Sequence, residues 1–279
     1  MLKALLRLLA FLPLPLIHAI GVLFGYLYFI FLRRRLRRAR RNLRWVRTAF
    51  SRKSYRRILH GSVRETGKGI LETFAIWFRS EPSVLKLVRD CKGWQHVEAA
   101  QAQGKGIIFL TPHLGCYEIT AIYYAARYAI SVLYKPPRNA KLAALVEKGR
   151  QRSRITLAPT NMRGIRTLIK ALKRGEAVGI LPDQVPEKGE GEWADFFGRP
   201  AYTMNLVGKL AAMSDATVLL AFGERLPWGR GYVIHIEPLD PDGNLAGTPG
   251  PQDVNYGIER LVRQCPQQYL WSYGRFKRP

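Results

Sequence analysis

The first acidic side chain in this sequence is Glu65, and every Lys and Arg before it goes unanswered. The shortage of acid runs through the whole chain: 20 Asp and Glu against 45 Lys and Arg among 279 residues, a formal charge of +25 and a pI near 10.5. Such a balance calls for an acidic partner or an anionic surface, with nucleic acid, anionic lipid and an acidic carrier protein as the candidates. Cysteine is also scarce. Cys91, Cys116 and Cys265 are odd in number, unevenly spaced and without a C-x-x-C pair, which excludes a disulfide framework and a zinc ribbon and suits a reducing, cytoplasmic setting. No internal repeat or low-complexity stretch occurs after residue 65, and no RNP-like, zinc-finger or homeodomain signature is present, so no nucleic-acid partner is expected. The length suffices for one large domain, or one domain plus an anchor, with a core that needs no staple.

Charge is missing altogether from residues 8–32, which hold no Asp, Glu, Lys or Arg and where His18 is the only side chain that ionises near neutral pH. As a helix this stretch would be about 37 Å long, against a hydrocarbon core of roughly 30 Å, so it is long enough to span a bilayer. Pro13 and Pro15 interrupt it, because an interior proline removes a helix hydrogen bond, and residues 16–32 alone are only just long enough. A cleaved signal peptide with Lys3 and Arg7 as its charged region fits less well. The apolar run exceeds the roughly 7 to 15 residues of an h-region, and no A-x-A-like site comes after it.

The run ends instead in a stop-transfer pattern: Arg33, Arg34, Arg35, Arg37, Arg38, Arg40, Arg41, Arg44, Arg47, Arg52, Lys53, Arg56 and Arg57. By the positive-inside rule this flank stays in the cytoplasm, and it also attracts anionic headgroups at about 1 kcal/mol per charge. A nucleic-acid arm or a solvated helix face would show the same charge, but adjacency to the apolar run favours the membrane. Tyr26, Tyr28 and Trp45 fit an interfacial aromatic belt or ordinary packing equally. We therefore expect an anchor over residues 1–32, a basic membrane-proximal segment over 33–64 and a catalytic domain over 65–279.

Beyond the anchor, Ile58, Val63, Ile70, Phe74 and Trp77 recur at near-helical spacing and predict a helix over 54–80, ahead of Pro82. Short β-forming runs lie further on at 106–111, 129–134, 177–181, 217–222 and 232–236. Helix-like segments lie between them at 119–127, 141–152, 164–173, 203–213 and 254–264. This alternation predicts an α/β fold with a largely parallel central sheet flanked by helices, with functional residues at strand ends.

The segment Phe109-Leu-Thr-Pro-His-Leu-Gly-Cys-Tyr-Glu118 sits where a strand gives way to a helix, which exposes His113 at a strand terminus. Glu118, five residues on, would lie about 140° away on one continuous helix. The two can meet only if Pro112 and Gly115 hold a turn and Glu118 alone lies on the helix. An imidazole bonded to a carboxylate through its second nitrogen is fixed in one tautomer and made more basic, which suits it to take a proton from a hydroxyl nucleophile. The bland alternative is a helix-capping histidine beside a solvated glutamate.

In this context the chain resembles the late lipid A acyltransferases, the lauroyl and myristoyl transferases of Gram-negative bacteria within the lysophospholipid acyltransferase superfamily. The matching residues are His113-Leu-Gly-Cys-Tyr-Glu118, Gly175-Glu-Ala-Val-Gly-Ile-Leu-Pro-Asp-Gln184, Phe196-Phe-Gly-Arg-Pro-Ala201 with Thr203, and Tyr269-Leu-Trp-Ser-Tyr-Gly-Arg-Phe-Lys-Arg-Pro279. The resemblance implies a glycerolipid-acyltransferase-like fold and a single-pass enzyme at the cytoplasmic face of the bacterial inner membrane. It implies acyl carrier protein as donor, a hydroxyl of a lipid A precursor as acceptor, and an H-x-x-x-x-(D/E) catalytic pair carried by His113 and Glu118. Leu114, Cys116 and Tyr117 stand where the family commonly has Phe, Asn and Trp.

Transfer from a thioester to a hydroxyl needs a base and donors for the oxyanion, so neither metal nor cofactor is expected. Cys116 is the rival nucleophile, by way of an acyl-enzyme, although free cysteine is more often a packing residue. Asp183 and Gln184 end a strand and either bind the acceptor or stabilise their loop. Arg150, Arg163 and Arg166 are candidates for lipid phosphate or phosphopantetheine, with a solvated helix face as the alternative for each. Two other functions stay open at this point: acyl transfer to another lipid, such as a lysophospholipid or an amino-acid-containing lipid, and membrane-tethered nucleic-acid binding.

Overall fold

A computed structural model describes residues 10–46, 49–137, 139–152 and 154–279. Lys3, Arg7, the first two residues of the apolar run and Arg47 lie outside the described residues. Seven strands form the central sheet: β1 (Val88–Lys92), β2 (Ile107–Leu110), β3 (Ile130–Tyr134), β4 (Ile155–Pro159), β5 (Ala177–Ile180), β8 (Thr217–Arg225) and β9 (Tyr232–Pro238). Their order is β1-β9-β8-β2-β5-β3-β4, and every pairing is parallel except β8 with β9. A separate antiparallel hairpin joins β6 (Gly191–Asp195) to β7 (Pro200–Met204). The expected α/β class and largely parallel sheet are what the chain forms.

Strand β2 is buried along its whole length, as a central parallel strand must be when both faces are covered. Its alternation divides the core. Ile107 and Phe109 join one apolar cluster with α5 (Trp94–Gln103) and α6 (Tyr117–Ala125). Ile108 and Leu110 join the other with α8 (Met162–Lys173), α9 (Leu206–Ser214) and α10 (Pro251–Gln264). Strands β2 and β5 are hydrogen-bonded neighbours running the same way, so the segments after Leu110 and after Ile180 emerge side by side.

The apolar run is broken once. Helix α1 (Leu14–Phe31) starts with Pro13 as its N-cap and Pro15 in its first turn, where a missing N–H costs nothing, so the prolines set its beginning and do not kink it. At 18 residues it is about 27 Å long. It does not stand apart from the domain: it runs antiparallel along α3 (Arg52–Phe78), with Leu14 and Ile76 in one apolar cluster, His18 bonded to Glu72 and Gly21 against Lys68. Gly25 and Gly67 allow this approach, since a Cβ on Gly67 would lie 2.0 Å from the Gly21 carbonyl oxygen and one on Gly25 would lie 2.4 Å from that of Val63. The outer side of α1 exposes Leu16, Leu23, Leu27, Ile30 and Phe31.

Helix α2 (Arg33–Trp45) holds most of the arginine run on its solvent side and buries Ala39, Asn42 and Leu43. Asn42 Nδ2 donates to the carbonyls of Trp271, at 2.8 Å, and Tyr273, at 2.6 Å, so the basic helix is tied to the C-terminal segment. Trp45 packs edge-on against Phe276, with Arg41 and Arg199 near its ring, and is thus engaged in protein packing. Helix α3, capped by the Ser51 side chain, runs unbroken through residues 64 and 65, so the basic segment and the residues after it share one element.

Helix α4 (Glu81–Leu85) precedes β1, and α7 (Ala140–Arg150) precedes β4. Four strands were not anticipated: β1 and β4 on the sheet edges, and the β6–β7 hairpin. Val-Arg-Asp-Cys-Lys in β1 is mostly polar because an edge strand keeps one side wet, and Thr203, assigned to a helix start, instead ends up buried on β7.

Candidate active site

The site is built where β2 and β5 end. After Leu110 the chain turns through Pro112 and His113 and enters α6 at Tyr117, with Glu118 in the first helical turn. Gly115 makes the turn possible: its φ is +59°, and a Cβ there would sit 2.0 Å from the Gly223 carbonyl oxygen. Backbone bonds pin the loop on both sides. The N–H of Gly115 donates to Gln268 O at 3.2 Å, that of Cys116 to Gly223 O at 2.7 Å, and that of Leu270 to His113 O at 3.0 Å.

The loop has the anticipated form, but His113 has a different carboxylate partner from the one its spacing suggested. Asp183, three residues beyond β5, accepts the His113 backbone N–H on Oδ2 at 2.9 Å and faces His113 Nδ1 with Oδ1 at 2.8 Å. A carboxylate is an acceptor, so Nδ1 carries the proton, and in the neutral imidazole the lone pair is then on Nε2. Gln184 places its amide nitrogen 3.2 Å from that Nε2. Asp183 is 3% exposed. Burial alone would raise its carboxyl pKa, but the His113 imidazole and backbone N–H, with the Arg275 charge behind them, hold it below the ordinary carboxylate value.

Glu118 makes no hydrogen bond to His113; Arg150 at the end of α7 takes both its oxygens, Nε lying 3.0 Å from each and Nη2 closing on Oε1. The expected His113–Glu118 contact is therefore corrected, because the first turn of α6 aims the glutamate at α7. Arg150 also lies beside the Trp77 ring, so it is a cation already paired within the site. Arg163 and Arg166 are exposed on α8, which comes after the edge strand β4, and line neither of the cavities beside His113. Cys116 is 3% exposed, and burial pushes its thiol well above the usual range, which removes the thiolate a nucleophile needs.

Two cavities flank this loop. One runs between the sheet and α6, walled by apolar groups such as Phe109, Val132, Ile155 and Ile234, with Gly179 of β5 among them. The other is a cleft with charged side chains on its wall, lined by His113, Arg35, Glu65, Arg225 and Leu270. Tyr117 and Glu118 belong to both. The C-terminal segment closes the floor: Arg275, 2% exposed, donates to Tyr202 O at 2.7 Å, Thr203 Oγ1 at 2.5 Å and Asn255 Oδ1 at 2.9 Å.

A model of the family described as bacterial lipid A biosynthesis acyltransferase matches residues 1–278. The chain belongs to that family. Among its relatives, the lipid A biosynthesis lauroyltransferase of Escherichia coli strain K12 is 28% identical over 269 residues, covering 95% of this chain and 87% of the relative. The lipid A biosynthesis palmitoleoyltransferase of the same strain is 29% identical over 273 residues, covering 95% and 86%. The lipid A biosynthesis myristoyltransferase of that strain is 24% identical over 186 residues, covering 65% and 57%. Membership makes the chain an acyltransferase and confirms the family that the sequence resembled.

Sequence reasoning overlooked two parts of this acyltransferase site. Arg225 at the end of β8 is a lone cation on an apolar strand, and Glu72 lies on the inner side of an apolar helix stripe; each was visible as a charge out of place. Burial pushes the Glu72 carboxyl upward, but Arg225 and His18 outweigh it and hold the pKa at about 2.

Proposed function

We propose that this acyltransferase moves a fatty acyl group from an acyl carrier protein thioester to a hydroxyl of a lipid A precursor, with His113 as the general base. The observation that carries the reading is the His113–Asp183 pair: a buried carboxylate fixes Nδ1–H, so that the neutral imidazole has its lone pair on Nε2, in a cleft that shares Tyr117 and Glu118 with the apolar cavity. The acyl chain lies in the apolar cavity, whose walls are mostly hydrophobic, as those of small-molecule pockets are. The acceptor hydroxyl enters from the cleft. Nε2 takes its proton as the oxygen attacks the thioester carbonyl; the C–S bond then breaks as the tetrahedral intermediate collapses, and the imidazolium, stabilised by Asp183, gives that proton to the departing thiolate. Gln184, whose amide nitrogen lies 3.2 Å from His113 Nε2, is our candidate donor to the developing oxyanion. Glu118 stays in the proposed site as the group that fixes Arg150 at the mouth of the apolar cavity.

The charge of +25 complements both an acidic carrier and the anionic lipids of the bacterial inner membrane, which supports a catalytic face on the cytoplasmic side. We read residues 1–32 as the membrane attachment, 33–64 as the basic membrane-proximal segment and 65–279 as the carrier of the catalytic groups, with α3 shared by the last two. A single pass through the bilayer is the topology the sequence favours. The docking of α1 along α3 favours a second one, a helix lying in the cytoplasmic interface, because its inner side is already occupied by protein.

The test is His113→Ala in membranes supplied with acyl carrier protein thioester and a lipid A precursor, read by mass spectrometry of the lipid. Loss of roughly 100- to 10,000-fold in turnover with normal folding and membrane attachment is expected. Near-normal product would overturn the mechanism, and loss confined to Cys116→Ala would replace it with an acyl-enzyme.

A further inference from the structure

Helix α1 buries the His18 side chain in the protein, and that side chain starts a continuous chain of bonds to the catalytic loop. His18 is 3% exposed, and its Nε2 lies 2.9 Å from Glu72 Oε2. The same oxygen accepts the Tyr232 hydroxyl at 2.9 Å, while Glu72 Oε1 accepts Arg225 Nε at 2.6 Å. Arg225 Nη2 then donates to the carbonyl of Gly115 at 2.7 Å, two residues from His113. The Arg225 backbone and the Gln268 side chain exchange two bonds, at 2.9 and 3.0 Å, and Gln268 O accepts the Gly115 N–H. Gly115 is therefore gripped at both its carbonyl and its N–H by groups whose positions depend on Arg225.

A guanidinium has five donors in a rigid fork, so where it sits is decided by the carboxylates it serves. Here those are Glu72 and, at 3.4 Å, Glu65, both on α3. A buried carboxylate holds its place only while its oxygens are satisfied. His18 and Tyr232 supply the donors on one oxygen and Arg225 the donor on the other. Membrane attachment alone gives no reason for a histidine in the middle of an apolar helix, since a leucine there would attach better.

We infer that α1 is a positioning element of the active site as well as its membrane attachment, acting through His18, Glu72 and Arg225 on the Gly115 carbonyl to hold His113 in register with Asp183. None of the three touches the reacting atoms; they set the loop that does. The inference rests on the acyltransferase reading for its kinetic consequence, but its structural consequence, an ordered residue 113–118 loop, is independent of that reading.

The experiment uses the full chain in detergent micelles, where membrane attachment no longer limits the reaction, and compares His18→Leu, His18→Gln and Glu72→Gln with the unaltered protein. Hydrogen exchange is followed at the Gly115 and Cys116 amides, and transfer is measured with acyl carrier protein thioester and a lipid A precursor. In His18→Leu and Glu72→Gln, exchange at these amides should rise at least about tenfold and kcat should fall about tenfold or more, with KM for the thioester within about twofold. That pair of effects separates positioning from binding, as an interaction made only on the way to the transition state lowers kcat. His18→Gln, which keeps an N–H donor, should recover most of both. Unchanged exchange in His18→Leu would overturn the inference whatever the enzyme assay shows, and so would equal loss in His18→Leu and His18→Gln. Raised exchange together with an unaltered protein that transfers no acyl group would uphold the positioning role and count against the acyltransferase mechanism instead.

Discussion

His113 Nδ1 and Asp183 Oδ1 stand 2.8 Å apart although 70 residues separate them in the chain, because β2 and β5 are parallel neighbours and both residues lie just past the strand ends. The pair sits under the C-terminal segment, whose Arg275 adds its charge to the set that keeps Asp183 ionised. A carboxylate so placed selects one imidazole tautomer and stabilises the imidazolium once formed.

Asp183→Asn and Glu118→Gln should accordingly behave differently. With Asp183→Asn the side chain still hydrogen-bonds but no longer selects Nδ1–H or balances the imidazolium, so kcat should fall by roughly 100- to 10,000-fold. With Glu118→Gln the imidazole keeps its partner and only the Arg150 pair is weakened, so a loss of about tenfold is expected. Turnover of both variants, normalised to folded protein, decides the matter. The reverse ranking would make Glu118 the functional partner of His113 despite its bonds to Arg150.

Gly179 invites a prediction about acyl-chain length. It stands on the α6 side of β5, in a central strand where glycine packs poorly, and it lines the apolar cavity. A Cβ there would meet Val132 at 3.4 Å and Ile130 at 3.6 Å, ordinary contacts, so Gly179→Ala should fold normally. Gly179→Leu would project into the space that we assign to the acyl chain. Each methylene kept out of the cavity forfeits roughly 0.8 kcal/mol, about fourfold in kcat/KM, so the variant should favour shorter donors. Competition among carrier thioesters graded in chain length would show the shift; an unchanged product distribution would place the acyl chain elsewhere.

Much of the fold was legible in the sequence because local patterning and global architecture agree. The apolar run at 106–111 is a buried central strand, and Gly115 does permit the turn that brings His113 out of it. The pairing was not legible. Asp183 could be seen as a strand-end residue, but which strand adjoins β2 is a fact of topology that periodicity does not contain. The edge strand β1 was missed for the opposite reason, too little apolar signal. In α2 the charges hid a pattern that was present: Ala39, Asn42, Leu43 and Val46 recur at helical spacing and all are buried.

The topology of α1 yields the last prediction. At about 27 Å the helix falls just short of the hydrocarbon core, and its inner side holds His18 against Glu72 and glycines against Gly67. Crossing the bilayer in this arrangement would draw α3, with Arg64, Glu65 and Lys68, in beside it. A helix lying in the cytoplasmic interface keeps those charges wet and still inserts Leu23, Leu27, Ile30 and Phe31. The exposed Trp228 belongs to the same arrangement: its turn between β8 and β9 packs on the start of α1 through Gly229 and Pro15, and tryptophan favours the headgroup level. A Lys3→Cys variant separates the two topologies. If α1 spans, residue 3 faces the periplasm and reacts in intact cells with a thiol reagent that does not cross the inner membrane. If α1 lies in the interface, residue 3 reacts only after that membrane is opened, and Leu23→Arg should loosen attachment more than an equivalent change at a buried position of α1 that keeps the fold. Labelling of Lys3→Cys in intact cells would establish the single pass, with α3 either drawn in beside α1 or parted from it at the His18–Glu72 bond.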